Sequence, residues 1–236
     1  MSLLSTKGLS RNFGGLAAVA DVDFDLPAGQ IRAIIGPNGA GKSTFVSMLC
    51  GRIPASRGQV FLEKREISAL PAHARIGLGM AYTFQITSVF ARLSLYENVA
   101  LGVRRRFPAR SELQDRVHDA LNRVGLADRA NQTAGELSYG HQRLLEIAMG
   151  LGQQPRLFIL DEPTQGLAES EINNFKSLIR EIGGETTVLL IEHNMDVVME
   201  TAEFITVLDL GRTLAEGTPR AIRENEAVQA AYLGTA

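Results

Sequence analysis

GPNGAGKST, residues 36–44, follows the apolar run QIRAII and decides the fold class. The segment matches the pattern G-x-x-x-x-G-K-[ST] through Gly36, Gly41, Lys42 and Ser43. A loop with few side chains lets backbone N–H groups close around a polyphosphate, and the N-terminus of the following helix adds partial positive charge. The context fits, because a strand-like run precedes the loop and the helical pattern FVSMLC follows it. We therefore predict a nucleoside-triphosphate-binding loop.

Each residue of this loop is a candidate contact with the phosphates. Lys42 is expected to reach the β- and γ-phosphates, Ser43 to ligate Mg²⁺, and Thr44 to support the phosphate cradle. The candidate nucleotide-binding residues of the loop are Gly36, Pro37, Asn38, Gly39, Ala40, Gly41, Lys42, Ser43 and Thr44.

A second element of the site is predicted where RLFILDEP, residues 156–163, ends an apolar strand in two carboxylates. Asp161 is placed to hold Mg²⁺, mostly through water. Glu162 is placed to polarise an attacking water as a general base. An acidic exit from a strand is common by itself, but here it occurs together with the glycine loop.

Composition argues against several other classes of protein. The 236 residues carry a net charge of −2, which gives no support to nucleic-acid binding. Cys50 is the single cysteine, so an internal disulfide is excluded and a reducing compartment is favoured. No apolar run approaches the roughly 20 residues of a membrane-spanning helix, and the N-terminus is no convincing signal peptide. We expect an intracellular chain that can still dock on a membrane protein.

Strand-like and helix-like segments alternate along the chain. The runs at 30–36, 156–162, 186–193 and 204–211 have strand length, and several are continuous, as in strands covered on both faces. Residues 170–184 show helical spacing, with Gly183 placed to end the helix. The first thirty residues and residues 204–218 indicate antiparallel β elements beside the parallel sheet.

The middle of the chain is predicted to be a helical insertion. In residues 111–126, Ser111 and Gln114 form a capping-box pattern, and Gly125 is placed to end the helix. The predicted fold class is α/β: a P-loop NTPase with a mixed, mainly parallel central sheet, an antiparallel β subdomain and a helical subdomain. Residues 1–236 form one nucleotide-binding domain, with the ATPase core and β subdomain at about 1–84 and 155–236 and the helical subdomain at 85–154.

An ordered set of short motifs resembles the ATP-binding subunits of ABC transporters. LSYGHQ (137–142) is similar to their signature motif, and it occurs with the glycine loop, YTFQ (82–85), QGLA (165–168) and LLIEHN (189–194) in the expected order. RNFGGLAAV, LSLYENVALG and the tail EGTPRAIRENEAVQAAYLG resemble the branched-chain amino-acid importer subfamily in particular.

The resemblance implies further roles within the chain. Phe13 matches the aromatic residue that stacks on adenine, and Gln85 matches the glutamine that reaches the metal and the attacking water. His193 matches the histidine that contacts the γ-phosphate. Ser138 and Gly140 match the signature residues that bind the nucleotide of the opposite subunit. In this family two such chains pair head to tail around two ATP molecules.

The resemblance also implies partners and a location. They are integral-membrane permease subunits, a second ATP-binding subunit that is identical or a sister chain, and indirectly a periplasmic or extracellular substrate-binding protein. The chain would then be a peripheral subunit at the cytoplasmic face of the inner or plasma membrane. The segment 86–100 is expected either to dock on the permease or to belong to the local core.

The sequence departs from the family pattern at three positions. Tyr139 replaces the first glycine of the common LSGGQ form, and His141 stands at its glutamine. Ala168 stands where an aspartate is common, so a coupling role for that side chain is excluded. Two other functions stay open: an ATPase subunit of a lipid or polysaccharide exporter, and a non-transport ABC ATPase.

Overall fold

The computed structural model describes residues 1–83 and 88–233. Within these ranges the chain forms ten strands and nine α-helices. The strands are β1 (Ser2–Phe13), β2 (Leu16–Pro27), β3 (Ile31–Ile35), β4 (Arg57–Leu62), β5 (Arg65–Glu66), β6 (Met80–Tyr82), β7 (Leu157–Asp161), β8 (Thr187–Ile191), β9 (Phe204–Asp209) and β10 (Arg212–Gly217). The helices are α1 (Lys42–Leu49), α2 (Ala72–Gly77), α3 (Leu95–Arg104), α4 (Arg110–Arg123), α5 (Tyr139–Leu151), α6 (Glu169–Gly183), α7 (Met195–Thr201), α8 (Pro219–Arg223) and α9 (Glu226–Leu233).

A six-stranded sheet with the order β10-β9-β3-β8-β7-β6 lies at the centre. Its strands are parallel to their neighbours from β9 to β6, and β10 is antiparallel to β9. The prediction of a mixed, mainly parallel sheet is confirmed. The expectation that residues 204–218 lie beside the parallel sheet is wrong for β9, which pairs in parallel with β3 inside that sheet.

Both faces of the central sheet are covered, which explains its unbroken apolar runs. Along β3, Ile31, Ala33 and Ile35 belong to one hydrophobic cluster and Ile34 to another, because successive side chains of a strand point to opposite faces. Residues of α3, α4, α5 and α6 complete the first cluster. Residues of α1, β1, β2 and β4 complete the second.

A second sheet, with the order β2-β1-β4-β5, is antiparallel throughout. Its first two strands are joined by a turn at Gly14 and Gly15, and β2 runs past the glycine loop. The Ala20 N–H donates to the Gly211 carbonyl over 2.8 Å, and the Gly211 N–H donates to the Ala40 carbonyl over 3.0 Å. These bonds fix β2, the β9–β10 turn and the loop relative to one another.

Helices α3, α4 and α5 occupy the middle of the chain. The predicted capping box at Ser111 and Gln114 is wrong, since α4 begins at Arg110 and Ala109 precedes it without a side-chain cap. Gly125, with φ 72°, follows the last turn of α4 as expected. Among the described residues, no helix combines the length and the apolar character needed to cross a bilayer.

Candidate active site

The glycine loop 36–41 connects β3, which is buried along its whole length, to α1. Gly41 has φ 95°, and a Cβ there would lie 2.4 Å from the Ala18 carbonyl oxygen. A Cβ on Gly36 would lie 2.1 Å from the Leu208 carbonyl oxygen. Larger residues are therefore excluded by neighbouring backbone, and the pattern of the sequence has a direct steric cause.

Helix α1 begins at Lys42, directly after the glycine loop. Gly41 supplies no side-chain cap, and the first turn contains no acidic residue. Ser43 is exposed and Thr44 is half-buried at this end of the helix. Uncapped amides at a helix N-terminus favour an anion, and here they adjoin the glycine loop.

The Lys42 ammonium lies across the loop that precedes it. Its Nζ donates to the Gly36 carbonyl over 2.6 Å and to the Pro37 carbonyl over 3.0 Å. Burial lowers the pKa of Lys42, and the nearby carboxylates of Glu162 and Asp161 oppose this effect. A partly desolvated ammonium whose hydrogen bonds within the described ranges all go to carbonyl oxygens is suited to receive an anionic ligand.

Asp161 ends β7 and is 3% exposed. Its Oδ2 accepts a hydrogen bond of 2.8 Å from the Tyr82 hydroxyl, and its backbone N–H donates to Thr83 Oγ1 over 3.2 Å. Its Oδ1 is also buried and has no hydrogen-bond partner among the described residues. Burial raises the pKa of Asp161, while the Tyr82 hydrogen bond opposes the rise. An unsatisfied buried carboxylate oxygen is a position where a cation would restore the missing interaction.

Tyr82 is a site residue that the sequence reasoning missed. It ends β6, next to β7 in the sheet, and burial, followed by the charge of Asp161, raises the pKa of its phenol. The neutral phenol therefore remains a donor to Asp161. The motif YTFQ contains Tyr82, but its pairing with Asp161 depends on the parallel register of β6 and β7 and has no signal in the local sequence.

Glu162 follows β7 in a left-handed conformation, with φ 48°. Its backbone N–H donates to the Ile191 carbonyl over 2.8 Å, which keeps the turn against the end of β8. Its Oε1 lies 3.9 Å from His193 Nδ1, and the His193 side chain is 63% exposed. The structure thus brings together the ends of β7 and β8, as the candidate residues require.

Glu192, also missed from the sequence, fixes the two segments that follow β7 and β8. One carboxylate oxygen accepts the backbone N–H and the hydroxyl of Thr164, and the other accepts the N–H groups of His193 and Asn194. Glu192 is 1% exposed, so these bonds are protected from water. The available sequence signal is the acidic residue directly before the candidate catalytic His193, at the end of an apolar run.

A cleft of about 600 Å³ opens over the glycine loop and contains both Lys42 and Glu162. Its lining residues are Leu16, Ala17, Ala18, Asn38, Gly39, Ala40, Gly41, Lys42, Ser43, Thr44, Glu162 and Leu210. The cleft therefore places a carboxylate on the same side as the cationic, amide-rich end of α1. This arrangement suits a polyphosphate whose terminal group faces Glu162.

A cavity of about 920 Å³, larger than the cleft over the glycine loop, lies between α4 and α6. It is lined by Arg123 together with Asp119, Glu181 and Glu185, and Arg123 is already paired with the two glutamates at 2.9 and 3.1 Å. The glycine loop is absent from its described lining. Volume alone therefore does not identify the site, and the chemistry of the lining favours the cleft over α1.

Seven predicted residues of the described ranges do not line the cleft: Phe13, Gly36, Pro37, Ser138, Gly140, Asp161 and His193. Phe13 ends β1 with 47% of its surface exposed and its ring 4.7 Å from the Arg11 guanidinium. Its hairpin continues into Leu16, which does line the cleft. Ser138 precedes α5, where its Oγ accepts the His141 N–H over 3.3 Å. Gly140 is buried, with a Cβ position 3.0 Å from the Gly166 carbonyl oxygen. Another predicted residue, Gln85, lies outside the described ranges.

Comparisons with known proteins agree with this geometry. Residues 19–165 match the family model described as "ABC transporter", and residues 212–236 match that described as "Branched-chain amino acid ATP-binding cassette transporter". The chain is 38% identical over 251 residues to the high-affinity branched-chain amino acid transport ATP-binding protein LivG of Salmonella typhimurium, covering 99% of this chain and 98% of LivG.

Two further comparisons bear on function and fold. The lipopolysaccharide export system ATP-binding protein LptB of Escherichia coli is 32% identical over 236 residues, covering 99% of this chain and 98% of LptB. The crystal structure of the ADP conformation of MJ1267, an ATP-binding cassette of an ABC transporter, superimposes with a TM-score of 0.89 at 26% identity and covers 99% of each chain. On the family match and on the near-complete alignment with LivG, the chain belongs to the ABC transporter family.

Proposed function

We propose that this chain is the ATP-binding and ATP-hydrolysing subunit of an importer for branched-chain or related amino acids. The observation that carries the ATPase assignment is the single cleft that contains the glycine loop, Lys42 and Glu162. The likeness to LivG and the match at residues 212–236 support the substrate class.

In the proposed binding step, the amides of residues 36–44 and the Lys42 ammonium receive the phosphates of ATP. Lys42 exchanges its two carbonyl contacts for charged phosphate oxygens, and such charge-assisted bonds are about twice as strong as neutral ones. Thr44 adds a hydroxyl to the cradle, and Phe13 stacks on adenine through its exposed ring.

The residues present fit a Mg²⁺ ion, because Asp161 offers a buried oxygen without a partner and Ser43 offers an exposed hydroxyl at the start of α1. Gln85 is the third proposed metal residue. When bound, Mg²⁺ neutralises charge on the phosphate oxygens. Tyr82 holds the second oxygen of Asp161 and so fixes the carboxylate.

In the proposed hydrolysis step, Glu162 accepts hydrogen bonding from the attacking water and polarises it toward the γ-phosphate. His193 contacts the γ-phosphate, and Glu192 keeps the backbone of His193 in place. Gln85 contributes to the orientation of the water. The close approach of the Glu162 and His193 side chains supports their joint action at one reacting group.

A second ATP-binding subunit completes each site in this proposal. Ser138 and Gly140 do not line the described cleft. Asp161 and His193 do not line it either but adjoin Glu162, which does, whereas Ser138 stands at the N-terminus of α5, an end that favours anions. Ser138 and Gly140 are therefore assigned to the nucleotide of a paired subunit, which is identical or a sister chain. ATP favours the pair, and hydrolysis releases it.

The proposed membrane partners are integral permease subunits, which receive substrate from a periplasmic or extracellular binding protein. The chain is then peripheral to the cytoplasmic face of the membrane, with no nucleic-acid partner. Within the proposed docking segment, Leu95 is fully buried, whereas Phe90 is 55% exposed. Phe90 therefore remains a docking residue, and Leu95 serves the local core.

Reconstitution in vesicles tests the transport assignment. The chain is combined with the permease subunits and the binding protein, and uptake of labelled leucine is measured with ATP at the ATPase side. We expect uptake that requires ATP and is lost in Glu162→Gln, which retains nucleotide but hydrolyses it at least 100-fold more slowly. Export of lipopolysaccharide-like substrates without amino-acid uptake would favour the alternative that the LptB likeness supports.

A further inference from the structure

His141, which stands in the signature segment where the common form has glutamine, contacts three polar side chains. Its Nδ1 lies 3.0 Å from Ser138 Oγ and 3.2 Å from Arg129 Nη1. Its Nε2 lies 3.4 Å from Glu171 Oε1 on α6. The imidazole is 34% exposed and the Glu171 side chain 24%, so both are largely removed from water.

The chemistry of the partners determines the tautomer of His141. A guanidinium has no acceptor, so the Arg129 contact requires Nδ1 to accept. In the neutral imidazole the proton then resides on Nε2, which faces a carboxylate oxygen of Glu171. Ser138 can also direct its hydroxyl proton to the same Nδ1 lone pair.

Glu171 continues the connection beyond His141. Its Oε2 accepts the Ala168 backbone N–H over 2.7 Å, at the start of α6. The two segments are in close contact, because a Cβ on Gly140 would lie 3.0 Å from the Gly166 carbonyl oxygen and 3.3 Å from Glu171 Oε2. A path of contacts therefore runs from Ser138 through His141 and Glu171 to Ala168, in the segment that follows Glu162. The first and last steps are hydrogen bonds, and the middle step is the 3.4 Å approach of His141 Nε2 to Glu171 Oε1.

We propose that His141 is a positioning residue that couples the Ser138 hydroxyl to residues 165–168 through Glu171. The proposal rests on the proposed function, in which Ser138 binds the nucleotide of the paired subunit. A phosphate at Ser138 competes with His141 Nδ1 for the hydroxyl proton. Occupancy of the signature segment thus changes the contacts of His141 and, through Glu171, the segment attached to the catalytic Glu162 of the same chain.

Steady-state ATP hydrolysis by His141→Leu and Glu171→Ala, singly and together, tests this path. We expect each single change to lower kcat by about tenfold, the effect of one lost hydrogen bond. KM should stay within about twofold, because the glycine loop is unchanged. The double variant should be no slower than either single one, because both changes break the same path.

His141→Gln and His118→Leu are the matched controls. A glutamine amide accepts through oxygen and donates through nitrogen, so His141→Gln should keep at least half of the wild-type kcat. His118 is exposed on α4, away from Ser138, and its loss should leave kcat unchanged. Thermal unfolding of every variant identifies any that fails to fold. If His141→Leu or Glu171→Ala fails to fold, the kcat values of His141→Gln and Glu171→Gln are compared with wild type instead.

The proposal is overturned if His141→Leu matches wild type, if His141→Gln is as slow as His141→Leu, or if the two single effects multiply in the double variant. Failure of the proposed function has a different signature: wild type and Lys42→Ala would hydrolyse ATP equally slowly. That result would remove both proposals, whereas the first three remove the role of His141 alone.

Discussion

Asp161 is a buried carboxylate whose surroundings favour the binding of a cation. It is a charged group at the end of an apolar strand, with one oxygen satisfied by Tyr82 and the other left without a partner among the described residues. Burial raises its pKa, so the folded chain holds a proton on this carboxyl more readily than the unfolded chain does. Its ionisation therefore destabilises the fold progressively as the pH rises above the ordinary range of an Asp carboxyl, near about 4.

Asp161→Asn removes this titration and should stabilise the metal-free chain. At pH 8 we expect the unfolding midpoint to rise by about 3 °C over wild type. The difference should narrow as the pH falls toward about 4, where the wild-type carboxyl becomes neutral. Thermal unfolding in the presence of a chelator measures this difference in midpoint. Asp115→Asn is the control, because Asp115 is exposed. An equal difference at all pH values, or a lower midpoint for Asp161→Asn at pH 8, would contradict this account.

At the scale of elements, α1 depends on a distant arginine at its C-terminal end. Arg75 of α2 is 2% exposed, and its Nη1 donates to the Met48 and Leu49 carbonyls over 2.8 and 2.7 Å. Two further bonds bind the guanidinium to the Leu70 and Ser68 carbonyls. Arg75 thus satisfies the last carbonyls of the helix whose first amides face the cleft, and its charge also complements the helix dipole.

Arg75→Met should destabilise the chain by about 3 kcal/mol, because the Leu49, Leu70 and Ser68 carbonyls lose this donor, while the Met48 carbonyl keeps the Gly51 N–H. For a chain of this size the midpoint would fall by about 6–12 °C. Thermal unfolding followed by circular dichroism measures the change. Arg105→Met serves as the control, because Arg105 is exposed and makes one backbone bond, to His73. A midpoint within 2 °C of wild type for Arg75→Met would show that Arg75 does not support α1.

The same elements show how far the sequence predicts the fold. The strand–loop–helix at 31–49 was predictable because its signal is local: an apolar run, a glycine spacing and a helical pattern. The capping box at Ser111 was wrong because the first bond of α4 runs from the Leu113 N–H to the Ala109 carbonyl, before Ser111 can cap. Ser94 and Glu97 form a real capping box with the same residue pattern, so the pattern alone does not identify which candidate forms.

The conformation at the end of α6 and the partners of the proposed site residues show what the sequence does not predict. Gly183 is the last residue of α6, as expected, but Gly184 follows it with φ −69°, so the helix ends without a glycine in the left-handed conformation. Tyr82 and Glu192 belong to the site through the pairing of β6, β7 and β8. Such contacts join residues far apart in sequence, and no spacing rule along one chain specifies them.

At the scale of the whole molecule, the site joins the two hydrophobic clusters. The glycine loop and α1 belong to the cluster under the antiparallel sheet, whereas α5 and α6 belong to the cluster on the other face. The ion pairs of Arg123 with Glu181 and Glu185 connect α4 to the end of α6 and to the residues that follow it, on the same face of the sheet as α5 and α6. The central sheet carries both, and its strand ends supply Asp161, Glu162 and His193.

The proposed function depends on the binding of Mg·ATP by residues 36–44. Isothermal titration calorimetry with the intact chain measures this directly. We predict binding to wild type with a Kd between about 1 µM and 1 mM and an affinity at least about tenfold lower for Lys42→Ala, which loses charged hydrogen bonds. No binding by the folded wild-type chain, or equal affinities for wild type and Lys42→Ala, would contradict the central claim.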